Sequence, residues 1–170
     1  QDAGLAPEAA VAKLLAAHET LRVLRERRPR PHRDEKILTA WNGLMISALA
    51  QGATGLGEPD LLARATKAAE FLHAELWDDA SGTLYRSWLD GRSDIPGFAE
   101  DYAYLIQGLL DLYEAGFELR WLQWAVHLQE RMDALFGDAE RGGYFNSRAD
   151  DASVVVRLKE DYDGAEPAPN

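Results

Sequence analysis

The sequence predicts an all-α fold made of stacked helical pairs, and three observations support this. First, apolar residues recur at spacings of three and four, as in Phe98, Tyr102, Leu105, Ile106, Leu109 and Tyr113, so that a helix there has one stripe to bury. Second, Gly- and Pro-bearing breaks divide these runs into segments of helical length. Third, the chain repeats itself at a constant offset. Glu100-Asp101-Tyr102 returns as Glu160-Asp161-Tyr162, and at the same offset Leu44, Ile46 and Leu49 fall on Tyr104, Ile106 and Leu109. Units of this length, each a helical pair, need stacked neighbours to bury both faces.

The elements follow in order. A first helix starts at Pro7, a residue suited to the first turn, runs through Leu14, Leu15, Leu21 and Leu24, and ends in Arg27–Arg33 with its two prolines. A second covers about Ile37 to Gln51 and carries Trp41, Leu44, Met45, Ala48 and Leu49. Gly52, Gly55 and Gly57 form a break before Pro59 opens a third helix, which runs to about Leu76. From Trp77 to Pro96 the chain is irregular and aromatic, and Asp90-Gly91 gives a hairpin signal. The fourth helix, about Phe98 to Ala115, opens on Glu100 and Asp101 and ends at Gly116. The fifth runs from about Glu118 to Phe136. A second irregular stretch, 137–159, holds the strand-like Val154-Val155-Val156, and Glu160-Asp161-Tyr162 reads as a further helix entrance. In the repeat, Trp77-Asp78-Asp79-Ala80 answers Phe136-Gly137-Asp138-Ala139. The connections alternate between short and long, so in an up-and-down arrangement every long loop falls at one end. Polar loops over a rigid scaffold are where function concentrates, and that end is the candidate site.

Composition sets the outer limits. A chain of 170 residues holds one domain with a sizeable core, read here as residues 1–170. Cysteine is absent, which removes disulfides, thiolate metal sites and a cysteine nucleophile from this sequence. No apolar run approaches the roughly 20 residues of a membrane span, and the N-terminus carries no signal-peptide pattern; a cytoplasmic protein is expected. The net charge of −11 argues against nucleic acid as a general partner. Residues 22–36 nevertheless carry seven of the eighteen Lys and Arg against three acids, a local +4. That stretch reads as a solvated helix end, or as a surface for a phosphate or an acidic partner.

The run from Arg30 to Ile46, which includes Thr39-Ala40-Trp41-Asn42-Gly43, resembles a known family, and Phe98–Tyr104 and Asp163-Gly164-Ala165-Glu166-Pro167 extend the match over nearly the whole chain. The sequence is similar to the helical part of the thioredoxin-domain-containing proteins related to spermatogenesis-associated protein. The resemblance implies an α/α toroid, an (α/α)6 barrel like the six-hairpin glycosidases and the N-acylglucosamine 2-epimerases. Three repeats make half of such a barrel, with short β-hairpin loops at one end. The family's cysteine-bearing thioredoxin-like domain has no counterpart here, so the chain is expected to be a piece of a longer protein. Any redox role of that domain cannot be assigned to it. The resemblance implies a carbohydrate-active or sugar-binding protein, glycosidase- or epimerase-like if active. A helical scaffold that presents this end to another domain is the alternative.

Four acids lead the catalytic candidates: Glu100, Asp101, Glu160 and Asp161. Glycoside chemistry needs two carboxyl groups across one sugar bond, and equivalent helix entrances in successive repeats would bring such groups to one rim. Acids at helix starts also simply cap N–H groups and favour the dipole. Asp34, Lys36, Trp41 and Asn42 form a second cluster, read either as a polyol-binding set or as a capped helix with a buried Trp. Tyr102, Asp163 and Glu166 join the substrate-binding candidates through the matched motifs. Trp77, Tyr85, Trp88, Tyr144 and Phe145 read as sugar-stacking faces or as a lid over the core, while Trp121 and Trp124 read as packing. No two of the four histidines have ligand spacing. His32, inside the matched motif, is the one histidine that is a catalytic candidate. No metal and no cofactor are expected, and there is no P-loop, dinucleotide fingerprint or nucleophile elbow. A half-barrel would expose the inward stripe of Leu44, Met45, Leu105, Ile106 and Leu109, which predicts a homodimer of the piece in place of the missing half.

Overall fold

The computed structural model describes residues 4 and 6–170, which divide into two compact units, 1–34 and 35–170. The first unit is α1 (Pro7–Glu26) and the chain after it. Pro7 stands at the start of the helix, as expected. No residue of α1 is buried, and Leu14, Leu15 and Leu21 are exposed. The helix is laced on its surface by Arg22, which bridges Glu19 and Glu26 at 2.6 Å each.

The second unit consists of α2 (Thr39–Leu56), α3 (Pro59–Leu76), α4 (Ala99–Gly116) and α5 (Leu119–Phe136) with four two-residue strands. β1 (Ile37–Leu38) pairs antiparallel with β4 (Ser87–Trp88), and β2 (Trp77–Asp78) pairs with β3 (Thr83–Leu84). Helix α2 packs along α4, with α3 against α2 and α5 against α4. The core between them is Ile46, Leu72, Leu76, Tyr102, Leu105, Leu109, Leu128 and Phe136, all fully buried.

Two glycines set how closely α2 and α4 approach. A Cβ on Gly43 would stand 2.5 Å from the Tyr104 carbonyl carbon, and one on Gly108 would stand 2.5 Å from the Gly43 carbonyl oxygen. Any side chain at either position would hold the two helices apart. This close crossing puts the N-termini of α2 and α4 side by side, at the end where the long loops gather.

The repeat is written into the backbone hydrogen bonds. Tyr85 N–H donates to the Leu76 carbonyl at 2.8 Å, and Phe145 N–H to Phe136 at 2.9 Å; Gly82 N–H donates to Asp78 and Gly142 N–H to Asp138. Trp77 pairs with Leu84 as Gly137 pairs with Tyr144. Thr39 N–H donates to the Arg86 carbonyl, and Ala99 N–H to Asn146. In every case the second pair follows the first at one offset, the same that separates Glu100 from Glu160. The sequence pairing of Trp77 with Phe136 is therefore off by one, because Leu76 is the structural mate of Phe136. Gly82 and Gly142 occupy the same left-handed turn position, at φ +62° and +75°.

Several boundaries differ from expectation. Helix α2 continues through Gly52 and Gly55 to Leu56, and only Gly57 breaks it, with a left-handed φ of 70°. Helix α4 runs through Gly116, and Phe117 takes the left-handed cap at φ 53°. Around the Asp90-Gly91 turn, Trp88 bridges Arg92 as the hairpin signal predicted. Val154–Val156 form no strand, and Val155 and Val156 are exposed. Glu160-Asp161-Tyr162 opens no helix: Gly164, Pro167 and Pro169 follow closely, and proline both removes a donor and clashes with the preceding turn. The inward stripe is also less bare than half a barrel suggested. Leu105 and Leu109 are fully buried within this unit, Leu44 and Ile106 are half-buried, and only Met45 is exposed. No helix of the described residues is long and apolar enough to cross a membrane.

Candidate functional site

Asp101 stands at the centre of the long-loop end. It is the third residue of α4, its side chain is 1 % exposed, and its carboxylate is fully engaged. Oδ2 accepts from the N–H of Phe98 at 2.9 Å and from Arg86 Nη1 at 3.2 Å, while Oδ1 accepts from the N–H of Ala40 at 3.1 Å. One carboxylate thus caps its own helix and ties it to the start of α2. Burial pushes the Asp101 carboxyl up to about 6, against the lowering pull of the Phe98 N–H, the Arg86 guanidinium and the Ala40 N–H. Thr39 completes the seam, its hydroxyl donating to the Tyr85 carbonyl at 2.6 Å. Of the two readings of the acid at this helix start, the geometry is that of the cap.

Around this seam lies a more open rim. Arg86 Nη1 also meets Glu100 Oε1 at 2.8 Å, with both side chains 29 % exposed, and its guanidinium lies over the Phe98 ring. The irregular C-terminal segment folds back across the helix ends. The Asn146 carbonyl accepts from the Ala99 N–H, its side-chain amide donates to Glu160 Oε2 at 2.9 Å, and its Oδ1 accepts from the Glu160 N–H. Trp41, 56 % exposed, donates its indole N–H to Glu166 Oε1 at 2.8 Å. The Tyr104 hydroxyl donates to the Pro167 carbonyl. Asp163 Oδ1 accepts from the Ala168 N–H, closing the turn that presents Glu166. Burial, and after it the carboxylates of Glu166, Glu100, Glu160 and Asp163, push the Tyr104 phenol up to about 12.

The sequence candidates separate accordingly. Trp41, Glu100, Asp101, Glu160, Asp163 and Glu166 come together at this end of the second unit. Asn42 lies beside Trp41, but its amide is turned back to donate to the Leu38 carbonyl at 2.8 Å. Tyr102 is no surface residue: its ring packs on Phe136 and its oxygen accepts from the Leu84 N–H. Asp161 is exposed in coil rather than placed at a helix start. Lys36 is exposed just before β1, and His32 and Asp34 are exposed in the first unit. The lid reading suits Trp77 and Trp88, since Trp77 is buried and Trp88 packs edge-on against Phe71. Sequence reasoning missed Arg86, Tyr104 and Asn146. Tyr104 stands one turn after Asp101 in the matched motif and was legible there; Arg86 and Asn146, at equivalent positions of the repeat, were legible only as a pair of loop residues. Among the described residues no group of three His, Cys, Asp or Glu is placed to hold a metal ion.

The folded architecture is that of the (α/α)-barrel sugar epimerases and glycosidases. The structure matches the cellobiose 2-epimerase of Spirochaeta thermophila with a TM-score of 0.60 at 20% identity, over 79% of this chain and 34% of that one. It matches a GH76 alpha-mannanase of Bacteroides thetaiotaomicron with a TM-score of 0.62 at 13% identity, over 70% and 34%. Identities this low establish the fold alone. No family model matches the sequence.

In sequence, the chain is a homologue of spermatogenesis-associated protein 20. It is 47% identical to the human protein over 176 aligned residues, 98% of this chain. It is 42% identical to an uncharacterised protein of Caenorhabditis elegans over 159. The chain spans 22% of the length of the human relative.

Proposed function

We propose that the long-loop end contributes one wall of a carbohydrate-binding site in an (α/α)-barrel protein. The observation that carries this reading is the half-exposed Trp41 indole, fixed at its N–H by Glu166, on a rim that also holds the part-exposed Glu100 beside Arg86 and Glu160 beside Asn146. An indole face stacks on the C–H surface of a pyranose, and a ring of carboxylates accepts from its hydroxyls. Glu100, partly exposed, is the candidate acid or base of a glycosidase- or epimerase-like reaction. Asp101 is the residue that positions it, through their shared Arg86. The fold shared with cellobiose 2-epimerases makes a reducing disaccharide the substrate class to try first.

A second reading is favoured by the occupation of Asp101: its lone pairs are spent on structure, as expected of a scaffold that only presents this end to another domain. Titrating the 170-residue chain with cellobiose, read by the Trp41 indole resonance, separates the two. The binding reading expects a saturable shift that Glu166→Gln abolishes without altering the far-ultraviolet circular dichroism. A flat titration with an intact fold sinks it in favour of the scaffold.

A further inference from the structure

The basic stretch at the end of α1 takes no part in the proposed carbohydrate site, yet it walls a cavity of its own. Within the first unit, Arg25, Arg28 and Arg30 line a hollow of about 440 Å3, together with Glu26, Pro29 and Pro31. That size lies within the range of small-molecule sites, about 300–1,000 Å3. The one acid in the wall is already matched, because Glu26 Oε1 accepts from Arg22 Nη1 at 2.6 Å. Among the described residues, Arg25, Arg28 and Arg30 have no carboxylate partner. Three arginines thus line one hollow whose only carboxylate is engaged elsewhere.

The backbone decides how an occupant is held. Pro29 and Pro31 carry no N–H, and the N–H groups of Arg27 and Arg28 turn back to the Leu24 and Arg25 carbonyls at 3.3 and 3.1 Å. The helix end itself presents carbonyls, which favour the arginines and not an anion. Recognition therefore falls to the side chains, and the planar guanidinium fork matches phosphate oxygens two at a time. Three forks exceed what one phosphate occupies and suit two linked ones. The chain's net charge of −11 selects against a long polyanion, whose further charges would lie beyond the roughly 8 Å over which the arginines are felt at physiological salt. A compact ligand places all its charge within that distance. We infer that this cavity binds a small molecule carrying a diphosphate group, held by Arg25, Arg28 and Arg30. The site lies wholly within the first unit and is independent of the carbohydrate reading.

Equilibrium dialysis of the 170-residue chain against labelled inorganic pyrophosphate at low ionic strength tests this. Saturable binding is expected, falling as salt is added, with orthophosphate about tenfold weaker as a competitor. Arg28→Gln and Arg30→Gln should each weaken binding by about tenfold, the loss of one charge-assisted contact. Both positions lie beyond the end of α1, so an unchanged far-ultraviolet circular dichroism separates lost binding from lost fold. Arg64→Gln, which removes an exposed charge from α3, should leave binding intact. No retention of pyrophosphate at millimolar concentration overturns the inference, as does equal binding by the Arg28 and Arg30 variants or an equal loss in Arg64→Gln. Hexaglutamate competing as well as pyrophosphate would also overturn it, in favour of a docking place for an acidic segment.

Discussion

Replacing Gly43 or Gly108 by alanine tests the claim that glycine sets the α2–α4 crossing. At each position the new Cβ meets a backbone atom at 2.5 Å, while real Cβ contacts essentially never fall below 3.0 Å. No side chain can rotate out of the way, so the helices must part. The separation needed is roughly 0.5 Å, a gap that forfeits a quarter to a half of the attraction between facing atoms. This crossing carries the fully buried Ile46, Leu105 and Leu109. Overpacking of a tight core typically costs ~1–3 kcal/mol, and backbone obstruction places this case at the upper end. The gain in helix propensity from Gly to Ala returns about 1 kcal/mol, leaving a net loss of about 2 kcal/mol. For a chain of this size that lowers the melting temperature by roughly 4–8 °C. Gly55 provides the internal contrast: it lies in the same helix as Gly43, and a Cβ there meets nothing within 4 Å. Gly55→Ala should stabilise the chain by ~0.5–1 kcal/mol. Urea unfolding followed by far-ultraviolet circular dichroism reads both signs. The reasoning fails if Gly43→Ala and Gly108→Ala are as stable as the unsubstituted chain.

Other substitutions probe the remaining claims. The Asp101 carboxyl is held at about 6 in the fold against 3.8 unfolded, so its protonated form favours folding; that contribution is complete below the unfolded value and is lost as the pH rises through the folded one. A rise of this size corresponds to roughly 3 kcal/mol, so the stability difference between the unsubstituted chain and Asp101→Asn should grow as the pH falls from neutrality towards the unfolded value. A gap that does not change with pH refutes this. Phe117 is 76 % exposed and left-handed, so Phe117→Gly should raise the melting temperature, offset in part by the lost edge contact with Tyr113. Val11, Leu14, Leu15, Leu21 and Leu24 of α1 are all at least half exposed, so the chain should self-associate at micromolar concentration in sedimentation. Leu14→Glu with Leu21→Glu should restore a monomer, and equal behaviour of the two proteins would rule α1 out as the contact.

The sequence by itself determined what depends on local periodicity. Amphipathic spacing and the prolines at positions 7 and 59 placed four helices and part of a fifth within a few residues. The regular recurrence of turn chemistry placed the long loops at one end, because loops of alternating length on antiparallel helices have nowhere else to go. Only the tertiary structure decided what each polar group does. Asp101 and Asp161 sit in the same three-letter motif, yet one is buried between two helix ends and the other is exposed in coil, because the prolines after Asp161 leave no helix for it to cap. Tyr102 and Tyr104 are neighbours but one, yet the Tyr102 ring packs on Phe136 in the core while the Tyr104 hydroxyl reaches the Pro167 carbonyl of the C-terminal segment. The close approach of α2 and α4 is set by Gly43 and Gly108, whose missing side chains show in the sequence only as composition and become a constraint when two backbones meet.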